Sequence, residues 1–321
     1  MTGKLGDSEV YSDGDTIPVS SAGVGFAVQR GSDKVSLLDS GKISTTFDLK
    51  DPGTDSAPVD SKAYVPLYNQ SLIAILDLTE GRVSRRIDLS EFNAPGDGDH
   101  SADITDGVYD PKRNIVYFML QRIDLVALAA DPAFQLHCSA NKALIVGIDA
   151  ATDEIVDLNG GAPGKGIELS LANPSSVSVN ADGTTLYLSA AGCYDGTKLK
   201  NQGLEIVDLS DASSQTFSPD ANALIRLILL GGSDALIQTQ DASFESHWFR
   251  LDVASGEEQG AELADVPSAV SFDGTDLIGV QATDDVGAVV RYEIATGKST
   301  VISKTSWAGE YGTASGTALV Q

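Results

Sequence analysis

Four aspartates crowd one short segment, Asp97-Gly98-Asp99-His100-Ser101-Ala102-Asp103 with Asp106 just beyond. Carboxylates at alternate positions offer oxygen donors in the manner of a calcium loop, and hard divalent cations take such donors. The segment lacks the glutamate that ends an EF-hand loop, and Asp and Gly also furnish ordinary exposed loops. Asp97, Asp99 and Asp103 are therefore expected either to hold a divalent cation such as Ca2+ or to form a solvated acidic loop; no other cofactor is expected. The chain has three histidines, His100, His137 and His247, each a candidate metal ligand or general base. No two share a ligand-type spacing, so isolated surface histidines are the competing expectation. Two cysteines, Cys138 and Cys193, have neither zinc nor redox-pair spacing and form either one disulfide or two buried thiols. The chain contains no Gly-x-Ser-x-Gly elbow and no phosphate-cradling Gly-x-x-x-x-Gly-Lys-Ser/Thr loop.

The elements that position these residues follow from a repeat. An apolar run ending in an acidic residue and a polar turn recurs with its acidic member at Asp39, Asp77, Asp149, Asp208, Asp252 and Glu293. Upstream of each lies another β-rich run, and before that a strand closed by a tight turn such as Asn180-Ala181-Asp182-Gly183 or Asp273-Gly274. Gly accepts the positive φ that such a hairpin demands. A weaker, more polar fourth strand follows, as in Arg82 to Leu89. Four-stranded antiparallel units of roughly 40 to 45 residues stack radially as propeller blades. The expected fold is an all-β propeller forming a single domain over residues 1–321, with one short helical stretch at Leu125 to Asp131. Six complete units are counted. The tail from Glu310 to Val320 and the segment Ser8 to Gly14 read as halves of a composite closing blade, so seven blades are expected, with six as the alternative.

Ala63-Tyr64-Val65-Pro66-Leu67-Tyr68-Asn69, continued by Ile75-Leu76-Asp77-Leu78-Thr79-Glu80-Gly81-Arg82-Val83, resembles the YVTN repeat of YncE-like β-propellers. Leu186-Tyr187-Leu188 with Val207-Asp208-Leu209 repeats the pattern more weakly. The resemblance implies the propeller fold and a bacterial protein that is exported, periplasmic or surface-anchored, with a lipid anchor on some native precursors. It carries no activity, because the motif is made of blade-packing residues and this fold hosts lyases, lactonases, binders and scaffolds alike. The start Met1-Thr2-Gly3-Lys4 has no apolar signal core, as expected of a cytoplasmic chain or of an export product without its leader.

In such a fold the loops between strands two and three, and those between consecutive blades, gather on one face. Two insertions of the first kind fall in adjacent blades: Arg122 to Asn141 with Cys138, and Gly192 to Gln202 with Cys193. Neighbouring loops can bring two cysteines within bonding reach, so a disulfide is expected, and with it an oxidising compartment. The candidate ligand surface comprises His100, Phe134, His137 and Tyr194, flanked by Trp248, since flat aromatic faces beside polar groups suit ring-shaped ligands. Packing within or between blades is the competing role for Trp248, which begins a third strand.

Composition closes off several classes. Forty-six acidic against twenty-one basic residues give a net charge of −25, a field that repels nucleic acid and anionic membrane surfaces. The longest apolar run, near Ala221 to Leu230, is short and broken by Arg226, so no transmembrane segment is expected. The reading is a periplasmic or cell-surface monomer that binds a small molecule or protein without catalysis. The alternatives are a cation-dependent hydrolase or lyase of lactonase type, with His100 as base, and a protein-interaction scaffold.

Overall fold

The computed structural model describes residues 16–306 except 22–23, 40–41, 68–69, 161–164, 219–221 and 284–285. Its sheets follow the repeat. Blade one is Thr16–Ser21, Val24–Gln29, Lys34–Asp39 and Lys42–Asp48; blade two is Ala57–Val59, Lys62–Pro66, Leu72–Asp77 and Arg82–Asp88. Blade three pairs Ile104–Asp110, Ile115–Leu120 and Leu144–Asp149, and its outer strand comes in two pieces, Glu154–Val156 and Ile167–Glu168, both bonded to Leu144–Asp149. Blade four is Pro174–Val179, Thr185–Ala190, Gly203–Asp208 and Ser214–Phe217; blade five is Ala223–Gly231, Asp234–Gln240, Ser246–Asp252 and Glu257–Gln259. Blade six is Ser268–Phe272, Leu277–Thr283, Val286–Glu293 and Lys298–Ser306. One α-helix, α1 (Leu125–Ala130), lies in the blade-three insertion where the helical stretch was expected.

The described residues thus form an all-β propeller of six blades, a correction to the seven expected. The reason lies in strand supply: the first and last blades each complete a four-stranded meander from their own residues, so neither borrows a strand from the other end of the chain. The segments read as a composite blade, Ser8 to Gly14 and Glu310 to Val320, lie outside the described residues.

The chain divides into two compact units, one of residues 1–65, 74–85 and 263–321, the other of residues 66–73 and 86–262. In the first, Phe26, Val28, Val35 and Phe47 of blade one are buried. In the second, the middle strand Gly203–Asp208 of blade four is apolar on both faces because blade three packs on one side and blade five on the other. Tyr117, Met119 and Ile145 of blade three pack on Val177, Leu186, Leu188 and Val207 of blade four. Leu204 and Ile206 then meet Leu224, Leu227, Ile237 and Leu251 of blade five. Outer strands such as Arg82–Asp88 are mostly exposed and polar, which explains the weak fourth-strand signal.

The recurring acidic residues have a structural role. Asp149 Oδ1 accepts the N–H groups of Ala151 and Thr152 at 2.8 and 2.9 Å, and Asp252 Oδ1 those of Ala254 and Ser255 at 2.9 and 3.0 Å. Asp77 does the same for Thr79 and Glu80, and Asp208 for Ser210. Each closes the turn into the outer strand, a short-range carboxylate-to-backbone bond that Asp is suited to make. These bonds hold the carboxyls of Asp149, Asp208 and Asp252 below the usual range; the leading contributors are the Thr152 N–H, the Ser210 hydroxyl and the Ser255 N–H respectively. The hairpin glycines behave as expected, with Gly183 at φ 68° and Gly274 at φ 94°.

Candidate functional site

The site lies in the second compact unit, where two irregular segments interrupt blades three and four. Residues 121–143 join Ile115–Leu120 to Leu144–Asp149, and residues 191–202 form a small hairpin, Cys193–Asp195 with Lys198–Lys200. Cys138 and Cys193 are joined in a disulfide with Cα atoms 4.9 Å apart. Beside it the chains pair in parallel at His137 and Tyr194: the Cys138 N–H donates to the Tyr194 carbonyl at 3.0 Å, and the Tyr194 N–H to that of Leu136 at 2.7 Å. The two insertions are therefore one covalently and hydrogen-bonded unit.

Between this unit and the crossover into blade four opens a cleft of about 270 Å³. Amides (Gln121, Asn173, Asn201) and cations (Arg122, Lys142) line it together with aliphatic Leu128, Leu136 and Leu171. The crossover is pinned from beneath by Glu205, only 1 % exposed, whose carboxylate accepts the N–H groups of Ser170 at 2.9 Å and Leu171 at 2.9 Å. Gln121 Nε2 donates to Asn173 Oδ1 at 2.7 Å and to the Pro174 carbonyl at 3.0 Å, fixing one rim. Arg122 spends its guanidinium on the carbonyls of Lys142 at 2.8 Å and Asn93 at 3.4 Å, and burial lowers its pKa.

Next to the cleft stands the acidic segment. Asp97 is 2 % and Asp103 6 % exposed, and Asp99 is half-buried. One oxygen of each lies within 4.8 Å of those of the other two. Backbone engages four of their six oxygens: Asp97 Oδ1 accepts from Asp99 N–H at 3.3 Å, Asp99 Oδ1 and Oδ2 from Ser101 and Leu125 at 2.9 and 2.7 Å, and Asp103 Oδ2 from Ile123 at 2.9 Å. Asp97 Oδ2 and Asp103 Oδ1 are buried without a hydrogen bond. Burial, reinforced by the charge of Asp99, pushes the Asp103 carboxyl up to about 7, and burial raises that of Asp97 as well.

The residues singled out from sequence are dispersed around this geometry. His137 lines the cleft, exposed, with Nε2 2.9 Å from Asp131 Oδ2. Tyr194 is half-buried at the bridge behind it. Phe134 is exposed in the blade-three insertion, and His100 is exposed with its carbonyl accepting from Asn93 Nδ2. Trp248 is buried within the third strand of blade five and is absent from the cleft lining. The three histidines do not converge: His247 pairs with Glu262 and Asp241 beside blade five. Sequence reading missed Gln121, Arg122, Asn173 and Glu205. For Glu205 a signal existed, a charged residue inside the apolar run Leu204-Glu205-Ile206-Val207.

No protein-family model matches the sequence, and no curated protein matches it. Among solved structures, the fold is similar to that of a putative 6-phosphogluconolactonase from Bacteroides fragilis, with TM-score 0.59 and 14 % identity over 94 % of this chain and 86 % of that one. It is similar to hydrazine synthase of Kuenenia stuttgartiensis at TM-score 0.58 and 14 % identity, over 90 % and 80 % of the two chains. The Cps50 (Swd1) β-propeller domain of Myceliophteria thermophila gives 0.54 and 11 %, over 92 % and 87 %. At such identities the likeness shows a propeller and leaves function to the site.

Proposed function

We propose that this protein is a non-enzymatic binding propeller of the YVTN type, one domain over residues 1–321, that takes a small polar ligand in the cleft between the blade-three and blade-four insertions. The observation that carries the reading is the joining of those insertions by the Cys138–Cys193 disulfide and the His137–Tyr194 bridge. Long loops must be ordered to be useful, and a cross-link removes freedom that a ligand would otherwise have to remove. The cleft sits near the lower end of small-molecule sites, roughly 300 Å³. Its amides, Arg122 and aliphatic side chains suit a neutral or singly anionic polyol of monosaccharide size better than a nucleotide or a peptide.

The disulfide supports an oxidising compartment, periplasmic or at the cell surface. Among the described residues no helix is long and apolar enough to cross a membrane. A monomer with no nucleic-acid partner is in keeping with the −25 charge. The reading is tested by native mass spectrometry and calorimetry of the intact protein against a panel of monosaccharides and sugar acids. One of them should bind, and Arg122→Ala or Asn173→Ala should each weaken it at least tenfold. Contacts mapping instead to the turns Asp182-Gly183 and Asp273-Gly274 would refute the site, and turnover of a lactone or ester would replace binding by the hydrolase alternative.

A further inference from the structure

We propose that Asp97, Asp99 and Asp103 bind one Ca2+ ion, and that the ion fixes the segment Ile123–Leu128, from which one side of the cleft is built. The site stands on two independent observations. Three carboxylate oxygens converge to within 4.8 Å of one another. In addition, two of these side chains, more than nine-tenths buried, each keep one oxygen with no hydrogen-bond donor, Asp97 Oδ2 and Asp103 Oδ1, while their other oxygens are held by backbone N–H groups. A buried carboxylate oxygen without a partner is costly, and a polar group left so in a folded protein points to a missing ligand.

The chemistry of the donors selects the ligand. All are oxygens and all are carboxylates, which hard cations prefer and zinc, with its taste for Cys and His, does not. An irregular loop suits Ca2+, whose coordination is flexible, over Mg2+, which demands a near-ideal octahedron. No protein cation is seated among them: among the described residues none of the three aspartates forms an ion pair, and Arg122, whose charge reaches Asp97 at longer range, donates its guanidinium to the Lys142 and Asn93 carbonyls.

The coupling to the cleft is read from the bonds that two of these carboxylates make to the insertion. Asp103 Oδ2 holds the Ile123 N–H and Asp99 Oδ2 the Leu125 N–H, so two of the trio grip the insertion at the start of α1. Ile123, Asp124 and Leu128 line the cleft. The three carboxylates repel one another as they ionise, which loosens that grip; a cation at their centre offsets the repulsion and lets all three accept at once. The inference concerns the ion alone and holds whether or not the cleft takes a polyol.

The test uses the full chain stripped with chelator and titrated with CaCl2 by calorimetry, with MgCl2 as comparator and hydrogen exchange read residue by residue. One equivalent of Ca2+ is expected to bind saturably and at least tenfold more tightly than Mg2+, and the amides of Ile123 and Leu125 to exchange at least tenfold more slowly in its presence. Asp97→Asn with Asp103→Asn should weaken Ca2+ at least tenfold, while Asp195→Asn in the exposed hairpin should not. Absence of saturable Ca2+ binding by the wild type up to millimolar concentration overturns the site, and so does a folded double variant that binds as tightly as wild type. Should the double variant fail to fold, Asp99→Asn is read in its place. Binding that leaves the Ile123 and Leu125 amides unchanged overturns the coupling.

Discussion

Asp149, Asp208 and Asp252 close turns in solvent, each meeting N–H or O–H donors that favour the charged form, and their carboxyls sit below the usual range. Asp97 and Asp103, in the irregular segment beside blade three, meet burial and one another, and their carboxyls are raised. The residue type is the same; donors available per charge decide the outcome. The turn carboxylates are satisfied locally, whereas Asp97 and Asp103 each keep one buried oxygen without a donor. That contrast marks where the molecule can do something other than hold itself together.

The sharpest way to break the contrast is to uncouple the insertions from the blades. Cys138→Ser with Cys193→Ser opens a loop with a separation of 55 residues, and the chain-entropy model assigns such a closure about 4 kcal/mol. Thermal and denaturant melting should show a loss of that order in the oxidised protein, and cleft ligands should weaken with it. An unchanged melt would mean that the insertions are appended to the blades without supporting them. Next in size is Glu205→Ala, which leaves the Ser170 and Leu171 N–H groups without their acceptor; a charged acceptor of this kind contributes about 2–3 kcal/mol. Glu205→Gln keeps one oxygen and should recover part of the loss.

The blades were legible because their pattern is local. The turn aspartates, the Asn180-Ala181-Asp182-Gly183 hairpin and the short helix at Leu125 to Ala130 each announce themselves within a few residues. The disulfide was legible at one remove, since strand counting set Cys138 and Cys193 in adjacent loops on one face. The cleft was not. Gln121 and Asn173 carry no motif, and Arg122 shows only as the first residue of the blade-three insertion, because their convergence depends on how a crossover is pinned by Glu205, 34 and 35 residues beyond the Leu171 and Ser170 amides it holds. Trp248, for which packing and ligand contact were both open, is buried in the third strand of blade five opposite Gln238. The blade number depended on segments at both termini, and there the first and last meanders proved complete without them.

A smaller effect separates the two groups of aspartates by pH. Asp103 takes up its proton at about 7 when folded and near 3.8 when unfolded. Between those values the folded state holds more protons, so its stabilising contribution is full below about pH 4 and is lost as pH rises through about 7. The turn aspartates act in the opposite sense: their contribution is full above about pH 4 and is lost as pH falls through their lowered values. Melting of chelator-treated protein should accordingly decline from pH 4 to pH 7 and also fall off below pH 4. Asp103→Asn should flatten the upper arm, while Asp149→Asn with Asp252→Asn should change only the lower one. A single variant that moved both arms would remove the distinction between the two groups.

The smallest expected effect comes from His247, which tests whether a half-buried strand position in a blade without an insertion perturbs its ionisable group at all. Its Nδ1 lies 2.8 Å from Glu262 Oε1 and its Nε2 3.8 Å from Asp241 Oδ2. The Glu262 hydrogen bond, followed by the charges of Glu262 and Asp241, raises the imidazole above 6.5. Stability from this pair is full below 6.5 and is lost as pH rises through the higher folded value. Solvent screens the contact, so the melting temperature should scarcely register it. The titration itself should register it: imidazole NMR shifts ought to place the His247 midpoint above 6.5, and Glu262→Gln ought to bring it back toward that value. A midpoint indifferent to Glu262→Gln would mean that the contact is too mobile to hold a proton, leaving the buried aspartates as the principal perturbed acid–base groups of the loop face.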